Sequence, residues 1–94
     1  MATATWNGVV IAEGTDVEIV EGNVYFAAKD VKAEHIRAST KHTVCSWKGD
    51  CSYFDVVVNG QTNADAAWVY RDPKPAAQNI RGRIAFWRGV EVAR

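Results

Sequence analysis

One short stretch holds most of the side chains that could do chemistry: Cys45-Ser46-Trp47-Lys48-Gly49-Asp50-Cys51. Two thiols, an ammonium group, a carboxylate and an indole surround a single glycine there. Residues of these types could form a metal knuckle, a redox pair, a catalytic turn or only a tight hairpin. Each interpretation requires a different spacing or different neighbours, so each can be weighed from the sequence.

A metal knuckle is the interpretation that the residue counts disfavour. A structural zinc site takes about four Cys or His ligands, usually from two closely spaced pairs, and a catalytic site takes about three plus water. The chain offers two Cys and two His in total, namely Cys45, Cys51, His35 and His42. The five residues between the cysteines do not fit knuckle spacing. The sequence therefore predicts neither a metal site nor a cofactor.

Pairing of the two cysteines depends on the length of the hairpin loop between them. A three-residue loop over 47–49 would set Cys45 opposite Cys51 within disulfide reach, whereas a two-residue loop would stagger them. The N-terminal residues show neither the basic nor the apolar region of an export signal. Thiols of a protein without such a signal are usually reduced, so two free thiols are expected.

Cys45 and Lys48 each have a functional and a structural interpretation. As a nucleophile or redox thiol, Cys45 needs a base or a positive field, which Lys48, His35 or His42 could supply. As a structural residue it would be a small buried hydrophobe. Lys48 is either a solvated turn residue or, beside Trp47, a donor next to a stacking face.

Composition and charge favour one compact domain spanning residues 1–94. Apolar residues make up 48% of the chain and aromatic residues 11%, which predicts an aromatic-rich core. Eleven basic and eleven acidic residues cancel and are scattered, so neither nucleic-acid nor membrane binding is expected. No apolar run approaches the ~20 residues of a spanning helix. The expectation is a soluble, cytoplasmic protein that is monomeric or homodimeric.

Turn signals at short intervals predict the elements that would position these residues. Short apolar runs are separated by signals typical of β-hairpins at Asn7-Gly8, Glu21-Gly22-Asn23 and Asn59-Gly60. The pattern predicts a mainly β, antiparallel domain of seven or eight short strands with one or two helical turns.

Alternation within two of the predicted strands assigns side chains to faces. Phe54, Val56 and Val58 share one face of the strand that follows the cysteine stretch, and this face is expected to be the apolar one. Trp68 and Tyr70 share a face of the next strand, where they either join the core or line a pocket beside it.

A further set of motifs runs along nearly the whole chain: Trp6-Asn7-Gly8, Val10-Ile11-Ala12, Val20–Phe26, Cys45–Gly49, Ala67–Tyr70 with Pro73, and Ile80–Phe86. Together these resemble the bacterial domain of unknown function 427 family. The resemblance implies a small β-tent-like domain in which two antiparallel sheets meet at an angle. It implies no zinc, because the paired Cys-x-x-Cys knuckles of zinc-bearing relatives are missing. The family carries a nucleotidyltransferase-like label, but the chain shows no glycine-rich cradle or carboxylate cluster for phosphoryl transfer.

The leading hypothesis is a domain that binds a small planar or anionic ligand in an aromatic-lined pocket. Its candidate residues are Trp47 and Lys48 of the hairpin, and Trp68 and Tyr70 of the strand that follows. Tyr25 is a third wall, which the family motif implies. Lysine would fix the ligand's charge while the rings bury its apolar area. The alternatives are an enzyme that uses Cys45 and an interaction module whose exposed aromatic residues pack on a partner.

Overall fold

The computed structural model describes residues 1–94 and contains nine strands and three short 3-10 turns. In chain order the strands are β1 (Ala2–Trp6), β2 (Val9–Gly14), β3 (Val17–Val20), β4 (Asn23–Phe26), β5 (Ile36–Cys45), β6 (Gly49–Val58), β7 (Gln61–Val69), β8 (Ile84–Phe86) and β9 (Glu91–Ala93). The 3-10 turns are Ala28–Asp30, Ala33–His35 and Pro75–Ile80. None of the helical segments has the length and apolarity that crossing a membrane requires.

The strands form two antiparallel sheets. One has three strands in the order β2-β1-β9, and the other has six in the order β3-β4-β8-β7-β6-β5. The mainly β, two-sheet fold is therefore confirmed, with nine strands instead of seven or eight. The strand least visible in the sequence is β5, a ten-residue edge strand whose side chains are mostly exposed. Edge strands carry polar and charged residues, so β5 lacks the apolar alternation that marks a half-buried strand.

Tight turns set the register of the short hairpins. Asn7 and Gly8 join β1 to β2 with φ of 52° and 76°, and Glu21 and Gly22 join β3 to β4 with φ of 54° and 79°. Positive φ at both central residues is the type I′ geometry, which matches the twist of the paired strands. The hairpins predicted at both positions are confirmed, and the second turn places Glu21 next to β4.

Strand alternation divides the core between the two faces of the six-stranded sheet. Val56 and Val58 of β6 are buried in the larger cluster, which also includes Ile11 from the three-stranded sheet. Cys51 and Tyr53 of the same strand belong to a second cluster on the opposite face. The apolar face predicted for β6 is confirmed at the two valines. The opposite face, however, carries a small core of its own.

Candidate functional site

A cavity of about 290 Å³ opens over the second cluster. Nine residues line it, and five of these are aromatic: Tyr25, Tyr53, Trp68, Tyr70 and Trp87, with Glu21, Asn23, Lys48 and Cys51. The lining residues come from β4, β6 and β7, from the β3–β4 turn, from the β5–β6 loop and from the chain that follows β7 and β8. The six-stranded sheet thus brings distant parts of the chain together around one space.

Tyr25 and Trp68 form the innermost wall. The indole Nε1 of Trp68 donates a hydrogen bond to the Tyr25 hydroxyl at 3.1 Å, and the two rings meet edge to face with centroids 6.1 Å apart. Burial raises the pKa of Tyr25, so its hydroxyl keeps its proton. That proton is free to be donated, because the Tyr25 oxygen acts only as an acceptor in its hydrogen bond with Trp68.

Lys48 is buried although it lies in a hairpin loop. The loop consists of Ser46, Trp47 and Lys48, because Cys45 pairs directly with Gly49. The Lys48 carbonyl accepts a hydrogen bond from the Lys74 backbone N–H at 2.9 Å, which ties the loop to the segment after β7. Lys48 as a residue is only 7% exposed, and its side chain reaches back over the second cluster.

The Lys48 ammonium is held by a carboxylate and two aromatic rings. Its Nζ donates to Glu21 Oε1 and lies 4.7 Å from the ring centroid of Trp47 and 5.8 Å from that of Tyr70. Burial by itself disfavours the charged form, but the hydrogen bond to Glu21 and the charges nearby outweigh it, so the pKa of Lys48 is raised. The cavity lining therefore includes a charged ammonium that is paired with the Glu21 carboxylate.

Tyr70 and Cys51 supply further protonated groups. Burial raises the pKa of the Tyr70 hydroxyl and that of the Cys51 thiol, so both stay neutral at physiological pH. The Tyr70 hydroxyl interacts with the Cys51 thiol, and sulfur is a weaker acceptor than a ligand oxygen would be. Its proton is the second phenolic donor available to a ligand.

Trp87 and Tyr53 form the outer wall of the cavity. The ring of Trp87 stands 5.6 Å from that of Trp68 and 6.5 Å from that of Tyr53, measured between centroids. Trp87 donates its Nε1 hydrogen to the Asp65 carbonyl at 2.6 Å, and the Tyr53 hydroxyl is paired with Thr43 at 2.9 Å. Because their polar groups are already engaged, these two residues present mainly ring surface.

The structure brings together four of the five residues predicted to bind a ligand: Tyr25, Lys48, Trp68 and Tyr70. Trp47 does not line the cavity. Trp47 as a residue is 39% exposed, and the Lys48 ammonium lies over its ring. The sequence did not identify five lining residues: Glu21, Asn23, Cys51, Tyr53 and Trp87. Alternation along β6 places Tyr53 and Cys51 on one face and could have identified that pair together.

Cys45 lies outside the cavity lining, and neither histidine is hydrogen-bonded to it. Its pKa is lowered, chiefly by hydrogen bonds from the backbone N–H groups of Lys48 and Trp47. His35 Nδ1 instead bonds the Val57 carbonyl at 2.9 Å, and His42 lies by Ser52. Both cysteines are free, because Cys51 pairs across the hairpin with Thr43. No group of three or more His, Cys, Asp and Glu side chains is arranged to hold a metal ion.

A family model described as "Domain of unknown function (DUF427)" matches residues 1–94, the whole chain. No curated protein matches the chain.

Proposed function

Because this chain belongs to the DUF427 family, a domain of unknown function, we propose its function from the cavity: it binds a small planar ligand that carries an acidic group. The acidic group would face Lys48, and the planar part would lie between the aromatic walls. The single observation that carries this proposal is a buried lysine whose ammonium lies at an aromatic cavity.

The donors at the cavity support an anionic partner. Lys48 has three ammonium protons, and Glu21 takes one of them. The Tyr25 hydroxyl has a proton free to be donated, and the Tyr70 hydroxyl interacts with the Cys51 thiol, a weaker acceptor than a ligand oxygen. None of these polar atoms is both buried and without a partner, so a ligand that displaces water from the cavity must itself accept their hydrogens. A carboxylate has two oxygens and about four lone-pair positions, which suits a group of converging donors.

The walls and the volume support a planar partner of small size. Trp68, Tyr53 and Trp87 offer ring surface, and apolar area buried there contributes about 25 cal/mol per Å². The volume, about 290 Å³, lies at the lower end of ordinary ligand pockets. A single ring with a short acidic side chain is of suitable size.

Catalysis is not part of this proposal. Cys45, whose lowered pKa would suit a nucleophile, is outside the lining, and the thiol at the cavity belongs to Cys51, whose pKa is raised by burial. Glu21 is the one carboxylate at the cavity, whereas phosphoryl transfer uses several groups to hold metal ions and phosphates. The observations therefore favour recognition of a ligand over turnover.

We expect the domain to bind hydrocinnamate more tightly than its neutral amide, hydrocinnamamide. The two molecules share the ring and the chain, so the difference in affinity isolates the negative charge facing Lys48. A charge-assisted hydrogen bond is worth enough over a neutral one to give a difference of about tenfold. Isothermal titration calorimetry measures both dissociation constants. Equal affinities, or tighter binding of the amide, would contradict an acidic ligand.

A further inference from the structure

We propose that the ligand carries a positive charge beside its negative one, as in an aromatic α-amino acid. This inference rests on the proposed function and narrows the chemical class of the ligand. It rests on the ion pair between Glu21 and Lys48, because the Glu21 carboxylate already lies where a ligand's anion would meet the ammonium.

The charges of the residues that line the cavity already cancel. Lys48 contributes one positive charge and Glu21 one negative charge, and the raised pKa values keep Tyr25, Tyr70 and Cys51 neutral. A ligand that brings only a carboxylate to Lys48 would stand beside the Glu21 carboxylate. Like charges a few ångströms apart repel, and the repulsion is larger near a protein surface than in bulk water. An ammonium on the ligand would remove this repulsion by pairing with Glu21.

The two protein charges differ in depth. The Lys48 side chain is 8% exposed, whereas the Glu21 side chain is 55% exposed and belongs to a tight turn at the edge of the cavity. The ligand's carboxylate would therefore lie deeper and its ammonium nearer the opening. Asn23, two residues after Glu21, also lines the cavity, and its side-chain amide can bond a ligand there.

The contact between the two protein charges restricts the ligand further. Lys48 Nζ and Glu21 Oε1 are in direct contact, so the ligand groups that pair with them must also be close together. A carboxylate and an ammonium on the same carbon atom meet this requirement. A long chain with its charges at opposite ends does not. The aromatic side chain would then point to the walls formed by Trp68, Tyr53 and Trp87.

The test compares phenylalanine with two molecules that each lack one of its charges. Hydrocinnamate lacks the ammonium, and phenethylamine lacks the carboxylate. For the unmodified protein, calorimetry is expected to show phenylalanine binding about fivefold tighter than either. Glu21→Gln is expected to weaken phenylalanine about fivefold and to strengthen hydrocinnamate by a similar factor. The opposite directions of these two changes in affinity would identify Glu21 as the partner of the ligand's ammonium.

Glu18→Gln is the matched control, because Glu18 is a β3 carboxylate that bonds Asn79 and does not line the cavity. It should leave all affinities unchanged. If Glu21→Gln strengthens both phenylalanine and hydrocinnamate, Glu21 merely competes with anions, and this inference is wrong while the proposed function stands. The same holds if phenylalanine binds no tighter than hydrocinnamate. If neither molecule binds the unmodified protein, the proposed function fails together with the inference.

Discussion

Lys48→Met is expected to weaken the binding of hydrocinnamate by about 10- to 100-fold, the range given by loss of a hydrogen bond to a charged donor. Methionine keeps the length and the apolar stem of lysine but removes the ammonium that lies at the cavity. The variant should still fold, because Glu21 is half exposed and can be hydrated when its partner is lost. Calorimetry gives the affinity, and thermal unfolding verifies that the domain is intact.

Lys29→Met is the matched control for that variant. Lys29 also pairs with a carboxylate, Asp30, but its side chain is 69% exposed and does not line the cavity. Its replacement should leave the affinity for hydrocinnamate unchanged. The role assigned to Lys48 would be wrong if both variants bound as the unmodified protein does. It would also be wrong if Lys48→Met weakened the neutral amide as much as the carboxylate.

Phe26→Ala is expected to lower the free energy of unfolding by about 3–5 kcal/mol, the usual cost of truncating a buried phenylalanine. Phe26 is fully buried in the larger cluster, and its ring meets that of Phe86 edge to face with centroids 5.8 Å apart. It also pairs with Ile84 at the junction of β4 and β8, which is the only register contact between these two strands. A domain of this size is commonly stable by about 5–15 kcal/mol, so the variant should be marginal.

Phe54→Ala provides the comparison for the same type of residue. Phe54 is only half buried, at the margin of the larger cluster, and the Arg71 guanidinium lies 5.4 Å from its ring centroid. Its truncation should cost clearly less than that of Phe26, because less area returns to water and the space can be filled by solvent. Urea denaturation of both variants measures the difference. Similar losses of unfolding free energy in the two variants would contradict the placement of Phe26 inside the larger cluster and of Phe54 at its margin.

Local sequence determined most of what could be predicted about the fold. Asn7-Gly8 and Glu21-Gly22 each specify a hairpin turn with two residues, because few residue types adopt the positive φ of a type I′ turn. Alternation along β6 correctly identified the face of Val56 and Val58. It did not reveal that a second cluster covers the other face, because Tyr53 and Cys51 acquire their neighbours from β7 and β4 rather than from adjacent residues.

The candidate site was predictable in part. Trp68 and Tyr70 share a strand face, and their placement at the cavity follows from the sheet. The contact of Lys48 with Glu21 spans 27 residues and leaves no local signal in the sequence. The sequence left the length of the hairpin loop open, and the structure has a three-residue loop, Ser46–Lys48, because Gly49 pairs with Cys45. Residue types alone do not determine how Gly49 joins the strand pairing.

We expect the aromatic cavity to receive the ring of the ligand, and the position of a bound ring is a test of this claim. Intermolecular nuclear Overhauser effects between hydrocinnamate and the labelled protein report that position. We predict contacts from the ligand ring to the side chains of Trp68 and Trp87, and none to Trp6 on the three-stranded sheet. Contacts confined to residues outside the cavity, such as the exposed Val44, would contradict the claim.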